Sequence, residues 1–127
     1  MREIEFRGKN DANEWLYGYL TYPAGNSCPI IDGNDYLGGV MEETIGQYTG
    51  LVDKNGKKIY EGDILKSRHS RYSYKVYFED YRYFIEDYWG TQITPKQEAI
   101  NHFECEVIGN IYENPELLNH QHEDKGE

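Results

Sequence analysis

Residues 46–66, GQYTGLVDKNGKKIYEGDILK, carry two glycine-centred turn signals in quick succession, and these constrain the fold more than any other feature of the chain. Asn55-Gly56 marks a hairpin, because both residues tolerate positive φ in a two-residue type I′ turn, with Leu51 and Ile59 as apolar residues on either side. Glu61-Gly62-Asp63 marks a second turn. There Gly62 takes the positive φ, and Asp63 accepts backbone N–H groups before a strand at Ile64-Leu65-Lys66. Two binding chemistries fail on the same residues. A P-loop needs four residues between its glycines and then Lys-Ser/Thr, whereas Gly50 and Gly56 enclose five and Lys57 is followed by Lys58. An EF-hand loop starting at Asp53 and Asn55 would put Lys57, Lys58 and Ile64 where a ligand, the turning glycine and the bidentate glutamate belong. Turn chemistry remains, and the lysines face water.

Period-2 patterns surround this core stretch. Ile4 and Phe6 alternate with charge in residues 2–7, NDANE supplies a turn, and WLYGYLTY ends at Pro23, which predicts a first hairpin. Residues 24–39 are rich in Gly, Asn, Asp and Pro, with room for a short strand at Pro29 to Ile31. Tyr72, Tyr74, Val76 and Phe78 share one parity, opposed by Arg71, Ser73, Lys75 and Glu79, and Tyr77 is the one large outward residue. That predicts a half-buried strand. After a turn at Glu79 and Asp80, Tyr81, Tyr83 and Ile85 repeat the pattern with Arg82 and Glu86 outside, giving a second hairpin. Thr94, Pro95 and Gln97 read as N-cap, first helical residue and capping-box partner for a two-turn helix over 95–101. Asn114-Pro115 repeats the device ahead of Leu117 and Leu118. Between them, Glu104 to Tyr112 is the last strand, with a bulge or close backbone approach at Gly109.

Composition supports a mainly β reading. Apolar residues make up 38% of the chain and mean hydropathy is -0.88, so a thin core must draw on thirteen tyrosines, whose rings bury while their hydroxyls stay wet. No run of about 18 apolar residues offers a membrane span, and the polar start lacks the apolar centre of a signal peptide, which predicts a cytoplasmic protein. Cys28 and Cys105 are expected to be structural thiols. The net charge of -10 is uneven. Residues 51–75 hold seven basic groups against three acidic, while residues 76–127 hold three against twelve.

Candidates for chemistry are sparse. Ser27 and Cys28 sit in no nucleophile signature, and His69, His102, His120 and His122 share no zinc spacing with the cysteines. His120 and His122 belong to a tail, 119–127, whose lack of apolar residues predicts disorder. Acidic neighbours such as Glu42-Glu43 and Glu86-Asp87 invite a metal-dependent hydrolase reading, but a chain with 23 carboxylates produces such pairs by chance. No catalytic residue, metal ligand or cofactor is expected. The central basic segment, Lys66, Arg68, His69, Arg71 and Lys75 interleaved with Tyr72 and Tyr74, has the composition of a single-strand nucleic-acid face. Overall acidity opposes that reading, and basic side chains on a strand edge also guard against unwanted pairing. Lys66, Arg68, Arg71, Tyr72 and Lys75 are therefore candidates for contact with a partner or with nucleic acid.

Two long segments carry a resemblance. QYTGLVDKNGKKIYEGDILK (Gln47 to Lys66) and EVIGNIYENPELL (Glu106 to Leu118), with the opening REIEFRG, resemble the YopX family of small phage and prophage proteins. The resemblance implies a small N-terminal β element, residues 1–45, and an SH3-like β-barrel with one or two short helices over 46–118. It implies no catalytic residues. Joined to the many amphipathic tyrosines, it predicts a non-enzymatic module that binds a protein partner or itself, as an oligomer, inside the bacterial host cell.

Overall fold

The computed structural model describes residues 4–25, 28–33, 37–79, 82–87 and 90–118; Ser27, Asp80, Tyr81 and the 119–127 tail lie outside them. The chain forms two compact units, Met1–Gly50 and Leu51–Glu127. In the first, β1 (Phe6–Lys9) and β2 (Trp15–Thr21) make the expected hairpin, with Arg7 opposite Tyr17. β3 (Ile30–Asp32) and β4 (Leu37–Gly39) extend the sheet beyond β2, and β5 (Gly46–Val52) pairs with the other side of β1. Sequence pattern missed β4, because three residues, two of them glycine, show no period. A 3₁₀ turn at Glu42–Thr44 is held by Thr44, whose hydroxyl donates to Met41 O at 2.7 Å and accepts from Lys9 N at 2.8 Å.

The second unit is an open sheet of order β10-β9-β8-β7-β11, comprising β7 (Asp63–Ser67), β8 (Ser73–Glu79), β9 (Arg82–Glu86), β10 (Gln92–Ile93) and β11 (Cys105–Asn110). The expected closed barrel is not formed: β10 and β11 are the two ends of this sheet, and the short β6 (Lys58–Tyr60) pairs with β5 instead. Helix α1 (Gln97–His102) lies against one face, where Ile59, Leu65, Val76, Ile100 and Cys105 form the core, ringed by Leu51, Tyr74, Ile85 and Val107. The other face is covered too. A 3₁₀ turn at Pro115–Leu118 packs on β8, and Ser73 and Ile64 are as buried as Val76. This corrects the simple alternation expected for β8 and β9. Ser73 on the expected outer face is 1% exposed, Phe78 on the expected inner face is 37% exposed, and Phe84 rather than Ile85 is the buried residue of β9. Across the two strands Tyr77 stacks on Phe84 at 5.6 Å and Phe78 meets Tyr83 edge-on at 4.8 Å.

The turns are built by one recurring device. At Asp53–Lys57, Asp53 N donates to Lys57 O at 2.8 Å, Gly56 N donates to Asp53 O, and the Asp53 carboxylate accepts from Asn55 N and Lys57 N at 2.8 and 2.9 Å. Gly56 has φ +82° while Asn55 keeps a negative φ, so the connection is a type I turn with a glycine bulge rather than the type I′ turn the Asn-Gly pair suggests. The Asp53 side chain selects it, since bridging two N–H groups two and four residues ahead requires a three-residue loop. Asn10–Glu14 has the same bonds, with Asn13 at φ +65°, and between Asp87, Gly90 and Thr91 the two backbone bonds and the bond from Thr91 N to the Asp87 carboxylate recur. Gly62 takes φ +95° as expected. Its Cα faces the Tyr112 ring, so a Cβ would stand 2.9 Å from that ring, and Asp63 accepts from Tyr60 N at 2.8 Å.

Asp53 does more than its counterparts. Its second carboxylate oxygen accepts from Val107 N at 3.0 Å, and Lys54 N donates to Cys105 O at 2.9 Å, which docks the turn on the outer edge of β11. The expected irregularity at Gly109 lies beside this contact, a register shift between Val107 and Gly109. Helix α1 starts later than the Thr94 cap predicts, with Lys96 at the N-cap position and no side-chain cap. Gln97 is used elsewhere: its amide accepts from Val52 N at 2.9 Å and donates to Val52 O at 2.8 Å. Asn114 stands ahead of the final turn, where its carbonyl accepts from Leu117 N and its side chain accepts from Asn110 N at 3.2 Å.

Two measurements follow from these contacts. Asp53→Asn leaves an amide N–H facing Val107 N–H in a site only 3% exposed and is expected to lower unfolding free energy by about 2 kcal/mol in urea titrations. Asn10→Asp, whose exposed amide donates only to Glu14, should cost less than about 1 kcal/mol. Equal effects would show that the Val107 bond is immaterial. Neither Cys105 nor Cys28 is in a disulfide, and burial pushes the Cys105 thiol up from the ordinary range. A thiol reagent near neutral pH should therefore modify exposed Cys28 rapidly and Cys105 only on unfolding. Because the folded pKa is the higher one, the stability tied to the neutral Cys105 thiol is full below the unfolded thiol pKa and is lost as pH rises through the folded value.

Candidate functional site

The segment after β7 gathers most of the residues selected from sequence. Ser67 Oγ donates to Phe103 O at 2.7 Å and accepts from His69 N at 3.1 Å, so its hydroxyl is committed to holding a turn against the end of α1. Lys66 folds its ammonium onto the carbonyls of Ser67 and Ser70, and Ser70 Oγ accepts from Tyr72 N at 3.1 Å. Arg68 and His69 both face Glu104, at 3.2 and 3.7 Å. Lys75 lies 3.9 Å from Glu86, directly across from it on β9, and 5.5 Å from the Tyr77 ring centre. Arg71 is exposed and Tyr72 half-buried. Two of the cations clustered in sequence, Arg68 and Lys75, thus meet carboxylates that sequence order leaves far away.

Behind that turn lies a cavity of about 310 Å³ between the sheet and α1. Tyr74, Ile85, Ile93, Ile100 and Cys105 form its apolar floor and walls, with Pro95, Ala99 and Phe103 on the helix side and Ser70, His69, Thr94 and Lys96 among its polar groups. No sequence signal marked it as a site. Its walls come from every strand of the sheet and the helix, and each contributor reads alone as ordinary core.

The first unit carries a different surface. Tyr19, Asp32 and Leu37 are in register across β2, β3 and β4, hence on one face, with Tyr17 two residues along. Tyr19 and Leu37 are 69% and 66% exposed. Tyr17, Tyr19, Ile4 and Asp32 border a shallow polar hollow of about 200 Å³, and β4 is the terminal strand of its sheet. Among the described residues, no three His, Cys, Asp or Glu side chains come together as a metal site, and no helix is long and apolar enough to cross a membrane.

Comparison with known proteins fits this architecture. Curated proteins give no match. Among solved structures, protein EF1440 from Enterococcus faecalis is similar at 29% sequence identity and a TM-score of 0.65, over 93% of this chain and 99% of that one. The model of the YopX protein family matches residues 5–119, nearly the whole of the described chain. This chain belongs to the YopX family.

Proposed function

We propose that this YopX-family chain is a phage- or prophage-encoded binding protein of the bacterial cytoplasm that performs no reaction and acts through contact with a protein, either a partner or a second copy of itself. The observation that carries this reading is the exposed patch of Tyr17, Tyr19 and Leu37, with Asp32 between the last two, which ends on a sheet edge. Aromatic side chains and an unpaired strand are what protein interfaces use. The SH3-like arrangement implied for residues 46–118 belongs to the same proposal. Short antiparallel strands joined by tight turns around a small core support it, although full closure is not part of it.

Nucleic-acid binding is the weaker reading. Arg68 and Lys75, two of the four cations that suggested it, face carboxylates, Lys66 is folded onto backbone carbonyls, and a net charge of -10 repels phosphate.

Light scattering and sedimentation on the full chain test the proposal. The expected result is a mass above that of one chain, or a stable complex with a captured protein, reduced to the monomer by Tyr19→Asp with Leu37→Asp. A monomer at every concentration with no captured protein overturns it. Labelled single- and double-stranded DNA and RNA, titrated at low and high salt, should show no salt-sensitive binding. Salt-sensitive binding that Arg68→Ala and Lys66→Ala remove would put nucleic acid in the protein's place.

A further inference from the structure

The cavity under the 68–72 turn is not needed for protein contact through β2 to β4, and its chemistry points to a separate ligand. At about 310 Å³ it lies at the low end of small-molecule sites, and its lining is predominantly apolar. Its floor, Ile100 and Cys105, belongs to the core and is nearly or fully withdrawn from water, so whatever fills it must be apolar over most of its length.

The charges around it are unequal. His69 is turned to Glu104, which Arg68 also engages, so those three groups largely compensate one another. Lys66 is spent on backbone carbonyls. Lys96 differs from all of these: it lines the cavity, is exposed, and has no side-chain partner among the described residues. The Thr94 and Ser70 hydroxyls line the same cavity. Cys105 is neutral near pH 7 and brings no negative charge to the floor.

We propose that this cavity binds a small apolar molecule bearing a single carboxylate, its hydrocarbon part against Ile85, Ile93, Ala99, Ile100 and Phe103 and its carboxylate at Lys96. One uncompensated cation suits one negative charge. A chain of net charge -10 does not attract anions at a distance, so affinity must grow with the apolar part.

The test is a titration of the full chain with butyrate, hexanoate, octanoate and heptanol, the alcohol with the same seven-carbon chain as octanoate, each below its aggregation limit, followed by backbone amide NMR. Signals of Ile85, Ile93, Ala99 and Phe103 are expected to shift, with affinity rising about fourfold per methylene until the cavity is full. Heptanol should bind roughly two- to fivefold more weakly than octanoate, the margin of an exposed ion pair. Lys96→Gln should remove that margin and leave heptanol binding unchanged. Ala99→Phe, on an exposed helix position that lines the cavity, should abolish binding of both while circular dichroism stays as in the parent. Octanoate that shifts none of these signals overturns the site. Octanoate and heptanol binding equally well to the parent, or an octanoate affinity unmoved by Lys96→Gln, overturns the assignment of a carboxylate.

Discussion

The Asp53 carboxylate is the contact on which the second unit is assembled. It is 3% exposed and accepts three backbone N–H groups, two inside its own turn and one from β11. A buried anion without such donors would be strongly unfavourable, whereas one that receives several charge-assisted bonds fixes everything it touches. Here it joins chain segments 54 residues apart. It holds β11 at Val107, one residue before the bulge, and Lys54 N fastens Cys105 from the same turn. The position of the cavity floor therefore follows from a turn that sequence order places more than forty residues earlier.

Polar bonding of this local kind suits a chain with little apolar material. With mean hydropathy of -0.88, the sheets are small and the core cluster has five buried members. Side-chain oxygens of Asn10, Asp53, Asp87 and Asn110 each take backbone N–H groups within four residues, so the turns are fixed by nearby bonds before any packing is added. The difference between Asn10 and Asp53 is instructive. Where the second atom of the side chain must donate, to Glu14, an amide is present; where it must accept, from Val107, a carboxylate is present.

How far sequence could be read depended on the range of each interaction. Turns at 55–56 and 62–63, the irregularity at Gly109 and the approximate helix were legible because their chemistry lies within a few residues. Even so, the hairpin type escaped the Asn-Gly rule, since the deciding group, Asp53, stands two residues before the pair. Parity failed on β8 because both of its faces are covered: a final 3₁₀ turn packs on the strand, and Ser73 and Val76, on opposite faces, are both buried. The basic segment was legible as a cluster, but Arg68 finds its carboxylate 36 residues away, and no local pattern announces that pairing. The cavity was illegible for the same reason, since its walls run from Ser67 to Cys105.

Gln97 shows what a single side chain can do for a sheet. β1 pairs with β5 at Gly46 and Gln47, and the Val52 peptide at the end of β5 meets the Gln97 amide through both its N–H and its C=O. The side chain thus meets Val52 as one peptide of a neighbouring strand would. Glutamate at this position would be nearly the same size, yet ionised it offers only acceptors and would set an oxygen against the Val52 carbonyl. A change of one atom, of the sort that slow deamidation brings about, would reopen that edge to pairing with another chain.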